Sequence, residues 1–352
     1  MRWRPANKGW LMMRLPTAAR SRVCAIAVAT LLTACGKGTP LTSGTATPPP
    51  PFVPKVTSEY VIPTTGSQPM GITLGSDENL WFTEFHTSRI GQLNTSAKFN
   101  ETLTPTPDAG PNGIASGPNS LVWFTETNVW KIGQITLGST PTFTDFLLPN
   151  PAARPTGIAL GSDGDMWVTD PGTSSIWRID QRGNADFCKV TNGAKPLAIT
   201  NGPDGALWFT EPGTDSIGRL PVSKRCSGLV EFKIPTANAY PAGITAGTDN
   251  ALWFTERNAQ KLGRIALTGQ FTEYPLTGSK TPDSVLQGID GNFYFTDTLG
   301  NALGQFNYKN QKVRLFNVPT ANAQPTAMTF GPDSQIYFTE TAAGRLGQFK
   351  YF

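Results

Sequence analysis

Seven acidic residues are the most regular candidates for chemistry, because each ends the same short pattern of aromatic residue, hydroxyl and acid, as in LWFTE at 80–84. The acids are Glu84, Glu126, Asp170, Glu211, Glu256, Asp297 and Glu340. A ring of carboxylates supplies the oxygen ligands that bind a divalent cation. A group present in every repeat is better explained by what every repeat needs than by a reaction that happens once. We therefore interpret these acids as structural.

A basic residue follows the acid by five positions in four of the repeats: Arg89, Lys131, Lys261 and Arg345. Across a hairpin, each cation would neutralise the acid of its own repeat. The other three repeats carry Ser175, Ser216 and Ala302 at this position, so the pairing is not universal.

Residues that occur in one repeat alone are better candidates for a binding site. His86, the sole histidine, follows the first acid at a position that is polar or small in most other repeats. Trp130 replaces polar residues in another loop, and we expect an exposed ring that could anchor a ligand. Arg154 and Tyr240 precede prolines, and Arg257 follows an acid. We expect all five on one loop face.

The elements that position these residues form a repeat. A proline followed by a short segment of small residues recurs at intervals of 41 to 45 residues, at Pro69, Pro111, Pro155, Pro196, Pro241, Pro282 and Pro325. This period is typical of propeller blades. Each unit contains four alternating segments separated by glycine, proline, asparagine and aspartate turns. The sequence predicts an all-β, seven-bladed β-propeller of four-stranded antiparallel blades, A to D.

The ends of the repeat predict how the ring closes. The last unit ends in strand C, RLGQFKYF, and therefore lacks strand D. SEYVIP at 58–63 precedes the first proline and matches the D pattern of VEFKIP. We expect this N-terminal strand to complete the seventh blade and remove the open sheet edge. The loops ending at the prolines and those following the acids then share one face, where any site should lie.

The first 34 residues predict export. Arg14, Arg20 and Arg22 precede an apolar run at 23–32, which has the length of a signal peptide. LTAC at 32–35 resembles a bacterial lipobox, which implies lipidation of Cys35, although an ordinary signal peptide is the alternative. We assign 1–34 to the signal, 35–56 to a disordered Pro/Thr/Gly-rich tether and 57–352 to the propeller. The expected location is the cell envelope, periplasmic or outer surface.

Charge and cysteines limit the partners. Without the six basic residues of the signal, 23 basic groups face 25 acidic ones, so nothing favours nucleic acid. Cys188 and Cys226 lie in consecutive repeats, and export permits a disulfide between them. The sequence does not place their Cα atoms, so the bridge stays open at this point.

The succession GIT, DG turn, LWFTE, IGRI and EFKIP resembles the virginiamycin B lyase (streptogramin B lyase) family of seven-bladed propellers over residues 57–352. The resemblance implies a lyase that opens a cyclic depsipeptide antibiotic by eliminating its ester linkage, using Mg²⁺. It also implies catalytic residues in the proline loops of the sixth and seventh blades. In the family, a histidine directly follows the proline of each of these two loops, and a glutamate precedes the proline of the seventh blade.

This chain departs from that pattern at all three positions. Asp283 and Thr326 stand where the family has histidines, and Gln324 stands where it has glutamate. At neutral pH threonine neither takes up a proton readily nor donates one as an imidazolium would, and glutamine supplies no carboxylate. Asp283 remains a candidate base and ligand contact. Mg²⁺ is expected only through the resemblance, and no cofactor follows from the residues themselves.

Two functional classes follow. We favour a lipid-anchored, monomeric propeller that binds a small molecule or an envelope protein without catalysis. The alternative is a lyase or another enzyme with a different constellation, built from Asp283, His86 and the repeated acids with a divalent metal.

Overall fold

The computed structural model describes residues 52–138 and 140–352. These residues form seven four-stranded antiparallel sheets. This confirms the predicted all-β, seven-bladed propeller. No helix among them is long and apolar enough to cross a membrane.

The strands follow the repeat. Strand β1 (Lys55–Val61) precedes the first proline. Blades 1 and 2 are β2 (Pro69–Leu74), β3 (Leu80–Glu84), β4 (Arg89–Leu93), β5 (Phe99–Leu103), and β6 (Pro111–Ser116), β7 (Leu121–Glu126), β8 (Lys131–Thr136), β9 (Phe143–Leu147). Blades 3 and 4 are β10 (Ile158–Leu160), β11 (Met166–Asp170), β12 (Ser175–Ile179), β13 (Ala185–Lys189), and β14 (Ile199–Asn201), β15 (Leu207–Glu211), β16 (Ser216–Leu220), β17 (Val230–Lys233).

Blades 5 and 6 are β18 (Pro241–Ala246), β19 (Ala251–Glu256), β20 (Lys261–Ala266), β21 (Phe271–Pro275), and β22 (Pro282–Gln287), β23 (Phe293–Asp297), β24 (Ala302–Asn307), β25 (Lys312–Asn317). Blade 7 contains β26 (Pro325–Phe330), β27 (Ile336–Glu340) and β28 (Arg345–Lys350). Short 3-10 helices lie in connecting loops at Pro118–Ser120, Thr127–Val129 and Val222–Gly228.

The ring closes as predicted. Strand β1 pairs antiparallel with β28, from Lys55 opposite Lys350 to Val61 opposite Arg345. The N-terminal strand thus becomes strand D of blade 7, giving the order β1-β28-β27-β26. Because every blade then has four strands, the last blade has no unpaired C strand.

The aromatic residues of strand B are held at both ends. In six blades, a phenylalanine ring of strand B covers a glycine of strand C, and a Cβ on Gly91 would lie 2.1 Å from the ring of Phe82. In every blade except blade 2, a turn aspartate accepts a hydrogen bond from the preceding tryptophan or tyrosine, as where Trp81 Nε1 donates to Asp77 Oδ1 at 3.1 Å. The glycine of strand C and the aspartate of the turn before strand B therefore position large buried rings.

The hydroxyl of the repeat links each blade to the next. Thr210 Oγ1 accepts from the Ala198 N–H at 3.0 Å and donates to the Ala242 carbonyl of the following blade at 2.8 Å. Thr339 does the same across the closure, donating to the Met70 carbonyl at 3.1 Å. In all seven blades, the acceptor is the residue directly after the next proline. The threonines therefore fix the loops that surround the central channel.

Candidate functional site

A cavity of about 310 Å³ lies at the channel mouth, on the face with the proline loops. We call it the channel-mouth cup. Its wall consists of the two residues after each proline, together with Arg257. The wall residues are Met70, Gly71, Asn112, Gly113, Thr156, Gly157, Leu197, Ala198, Ala242, Gly243, Asp283, Ser284, Thr326 and Ala327.

Close packing of the A strands explains the small residues of this wall. A Cβ on Gly113 would lie 2.1 Å from the Thr156 carbonyl oxygen of the next blade. A Cβ on Gly243 would lie 2.5 Å from the Asp283 carbonyl oxygen. Glycine at these positions brings neighbouring strands together, so the side chains of the first wall position point to a shared space.

Arg257 and Asp283 are the charged side chains of the cup wall. Arg257 Nη1 lies 3.8 Å from Asp283 Oδ2, and the two side chains are 31% and 18% exposed. Thr298 Oγ1 lies 3.4 Å from Asp283 Oδ2, a weaker contact than its 2.9 Å hydrogen bond to the Pro325 carbonyl. Burial raises the pKa of Asp283, against the opposing effects of the Arg257 charge and the Thr298 hydrogen bond. This carboxyl group therefore takes up a proton more readily than an ordinary aspartate.

Thr326 occupies the equivalent wall position in blade 7. Its hydroxyl donates to the Gln324 carbonyl at 3.0 Å and lies 2.8 Å from Thr341 Oγ1. Gln324 is exposed and has a φ of 54°, and it contributes its carbonyl to this loop. Neither side chain supplies an ionisable group to the cup.

The other residues that the sequence singled out lie outside the cup wall. His86 is exposed on the loop between β3 and β4, beside Phe85 at 6.1 Å. Tyr240 is 38% exposed, and its N–H donates to Asp215 at 3.1 Å. Arg154 donates from its guanidinium to the carbonyls of Pro151 and Ala153, and so stabilises its own loop.

Trp130 differs from the exposed ring that the sequence predicted. It is partly buried and packs against the hydrophobic cluster that contains Trp123, Ile132 and Leu148. Its backbone is left-handed, with a φ of 45°. The expected exposure was wrong because the polar residues at this position in other repeats do not show how this ring folds back on the blade.

The seven repeated acids are fully buried at the ends of the B strands. Five are glutamates, and each lies beside an acid of strand D in the same blade: Glu84 with Glu101, Glu126 with Asp145, Glu211 with Glu231, Glu256 with Glu273, and Glu340 with Glu59. Burial and then the neighbouring acid raise the pKa of Glu211 to about 9 and that of the other four glutamates to about 8.

Two of the four cations expected to neutralise these glutamates bond to the neighbouring acid instead. Lys131 Nζ lies 3.4 Å from Asp145, and Lys261 Nζ lies 3.1 Å from Glu273, so both contact the strand D acid. Burial and the neighbouring acid favour a proton on these glutamates, and most of their side-chain oxygens have no hydrogen-bond partner.

The two aspartates cap loops directly. Asp170 accepts from the N–H groups of Arg154 and Gly172 and from Trp177 Nε1. Asp297 accepts from the N–H groups of Lys280 and Thr281. In these two blades, strand D carries Phe187 and Leu315 where the paired acid would stand. This arrangement agrees with the structural interpretation of the repeated acids.

A disulfide joins Cys188 of β13 to Cys226 of the loop between β16 and β17, with a Cα–Cα distance of 5.1 Å. It connects blades 3 and 4. Cys35, the expected lipidation site, lies outside the described residues.

The cup does not fit the Mg²⁺ that the family resemblance implies. Magnesium favours several oxygen ligands, including one or two carboxylates. The cup wall has one carboxylate, Asp283, and it lies beside the Arg257 cation. Within residues 52–138 and 140–352, no group of three histidine, cysteine or acidic side chains is placed to bind a metal.

Of the cup wall, the sequence singled out Arg257, Asp283 and Thr326 but not the other residues. Ser284 lines the cup, and Thr298 bonds Asp283 from the next loop. A rule that the two residues after each proline face the channel would have found Ser284. Thr298 follows the repeated acid directly, a position shared with Thr127 and Thr341.

The sequence profile of the Virginiamycin B lyase family matches residues 53–228 and 141–351. A streptogramin B lyase structure is 33% identical with a TM-score of 0.78, covering 83% of this chain and 96% of its own. Virginiamycin B lyase from Staphylococcus aureus is 32% identical with a TM-score of 0.78, covering 84% and 99%. A catalytically inactive histidine-to-alanine variant of that enzyme was solved with quinupristin.

More distant structures share the fold alone. The WD40 propeller domain of Doa1 is 9% identical with a TM-score of 0.68, covering 85% of this chain and 97% of its own. Among curated protein sequences, none matches the chain.

Proposed function

Because this chain belongs to the virginiamycin B lyase family, we propose that it keeps the family's propeller as a binding module and lacks its histidine-based catalysis. The ligand binds in the channel-mouth cup. One observation carries the proposal: both positions where the family has histidine face the cup, and here they are Asp283 and Thr326.

Without the two histidines, the cup lacks the imidazoles that would transfer protons in an elimination. A base must lie within hydrogen-bond reach of the proton it removes, and an acid must reach the leaving group. Thr326 donates to a backbone carbonyl and has no useful pKa near neutrality. His86 is outside the cup wall and does not replace it.

The protein acts at the cell envelope in this proposal, as a monomer held by a lipid on Cys35. The support is the apolar run at 23–32 followed by LTAC and a proline-rich tether. Expression of wild type and Cys35→Ala, followed by detergent phase partitioning, tests the anchor. We expect wild type in the detergent phase and the variant in the aqueous phase, and a soluble wild type would contradict it.

Binding in the cup is tested by a ligand screen on the mature protein, read by thermal shift. Ser284→Phe places a large ring in the cup and should abolish the shift of any true ligand. His86→Ala, an exposed change outside the cup wall, is the control and should retain it. A ligand whose shift survives Ser284→Phe would place its site elsewhere.

A lyase reaction by another constellation is the runner-up, and one observation favours it. Asp283 has a raised pKa and lies beside a cation that could stabilise a developing negative charge. The test is incubation of the mature protein with a streptogramin B antibiotic and Mg²⁺, with ring opening followed by mass spectrometry. Turnover that Asp283→Asn abolishes would replace the binding-module proposal.

A further inference from the structure

We propose that the ligand of the channel-mouth cup is a small carboxylate with a compact apolar body, and that Arg257 binds its carboxylate group. This inference rests on the proposed function and specifies the chemical class of the ligand. It follows from the hydrogen bonding of Arg257, the charge of the neighbouring Asp283 and the residues that line the cup.

Arg257 differs from the structural arginines of the same propeller. Arg219 Nε donates to Asp204 at 2.7 Å, and Arg264 Nε donates to Asp249 at 2.7 Å. In the described part of the chain, the Arg257 guanidinium has one charged neighbour, Asp283, at 3.8 Å, which is too long for a hydrogen bond. Its donors are therefore open to the cup.

A guanidinium in this state matches a carboxylate. Its planar group offers five N–H donors, and two of them can bind the two oxygens of one carboxylate in parallel. A neutral carbonyl group would accept from fewer of these donors and would not neutralise the guanidinium charge. A second cation would be repelled by Arg257.

Asp283 determines when the carboxylate can bind. An ionised Asp283 would repel it, whereas a protonated Asp283 would not and could donate a hydrogen bond to it. The groups that face Asp283 are Arg257, from the loop after β19, and the Thr298 hydroxyl, from the loop after β23. The remaining wall residues are uncharged. Binding of the carboxylate is therefore coupled to proton uptake by Asp283.

The rest of the cup sets the size and polarity of the ligand body. A volume of about 310 Å³ is near the lower end of the ~300–1,000 Å³ range of ligand pockets. Met70 and Leu197 supply apolar surface, and glycines and alanines form much of the remaining wall. A compact aliphatic body fits this lining better than a large or highly polar one.

The test uses N-acetyl-L-leucine and N-acetyl-L-leucinamide, which differ in the charge of one group, with the mature protein in calorimetric titrations. We expect the acid to bind about 10- to 100-fold more tightly than the amide, because charged hydrogen bonds are worth roughly 1.5–3 kcal/mol. Arg257→Gln should remove this preference. Arg154→Gln, the same change on an arginine bound to its own loop, should keep it.

The coupling to Asp283 is tested separately. Affinity of wild type for the acid should fall as the pH rises and Asp283 loses its proton, and Asp283→Asn should bind the acid at least as tightly and without this dependence. Weaker binding by Asp283→Asn would overturn the coupling. Equal binding of acid and amide, or of neither probe, would overturn the carboxylate assignment. The ligand screen with Ser284→Phe would still decide whether the cup binds ligands at all.

Discussion

Glu211 at the end of β15 lies beside Glu231 of β17, so two acids meet inside one blade. Burial and this acidic neighbour raise the pKa of Glu211 to about 9 and so favour a proton on it. Glu231 in turn accepts from the Thr191 N–H at 2.7 Å, in the loop that enters the blade. A protonated Glu211 does not repel this carboxylate, which fixes a connection between two blades, and Glu84, Glu256 and Glu340 lie beside strand D acids in the same way.

The carboxyl pairs predict a pH-dependent stability. The folded-state pKa of Glu211 is about 9, above its value of 4.5 in the unfolded chain, and four further glutamates are raised to about 8. The folded state thus binds more protons than the unfolded state between these values. The stability that these glutamates contribute is fully present below about pH 4.5 and is lost as the pH rises toward 8 to 9. Thermal unfolding measured across this window should show a falling midpoint.

Glu211→Gln separates this effect from general alkaline damage. The amide keeps a hydrogen-bond donor for Glu231 but does not ionise. We expect the thermal unfolding midpoint of Glu211→Gln to fall less at alkaline pH than that of wild type. The midpoint of Glu78→Gln, a change at an exposed turn, should fall as much as that of wild type. A Glu211→Gln curve parallel to that of wild type would show that the pair carries no proton.

The fold was largely predictable because its signals repeat. Seven prolines and seven acids set the blade count, and the SEYVIP segment identified strand β1. The carboxyl pairs were missed because Glu101, Glu231 and their equivalents lie in strand D, whose sequence varies and does not mark them as partners of strand B. Trp130 was misplaced for a related reason, since one residue in a loop does not reveal the direction of its side chain.

The threonine of the repeat predicts a measurable contribution between blades. Thr210→Val keeps the shape of the side chain but leaves the Ala198 N–H and the Ala242 carbonyl without their bonds. We expect a loss of about 1–3 kcal/mol in the free energy of unfolding, since buried polar groups are left unpaired. Chemical denaturation measures it. Thr95→Val, in an exposed turn, is the control, and equal midpoints for the two variants would contradict an interblade role.

The disulfide predicts a stability difference under reducing conditions. Cys188 and Cys226 are separated by 38 residues, and a cross-link of this kind typically contributes about 2–4 kcal/mol. The double variant Cys188→Ser, Cys226→Ser should have a lower thermal midpoint than the oxidised wild type. A reductant should lower the midpoint of the wild type and leave that of the double variant unchanged. If reductant leaves the wild-type midpoint unchanged, the bridge does not stabilise the link between blades 3 and 4.

Restoring the family residues predicts a gain of function. The variant Asp283→His, Gln324→Glu, Thr326→His places two imidazoles on the wall of the cup and a carboxylate before the last proline. Imidazoles titrate near neutral pH and can exchange the protons that elimination requires. With a streptogramin B antibiotic and Mg²⁺, we expect ring opening above the wild-type level. The matched control lacks only Thr326→His and should stay near wild type. If the triple variant folds and remains inactive, differences beyond these three positions separate this chain from the lyases, and the size and shape of the cup become the next property to compare.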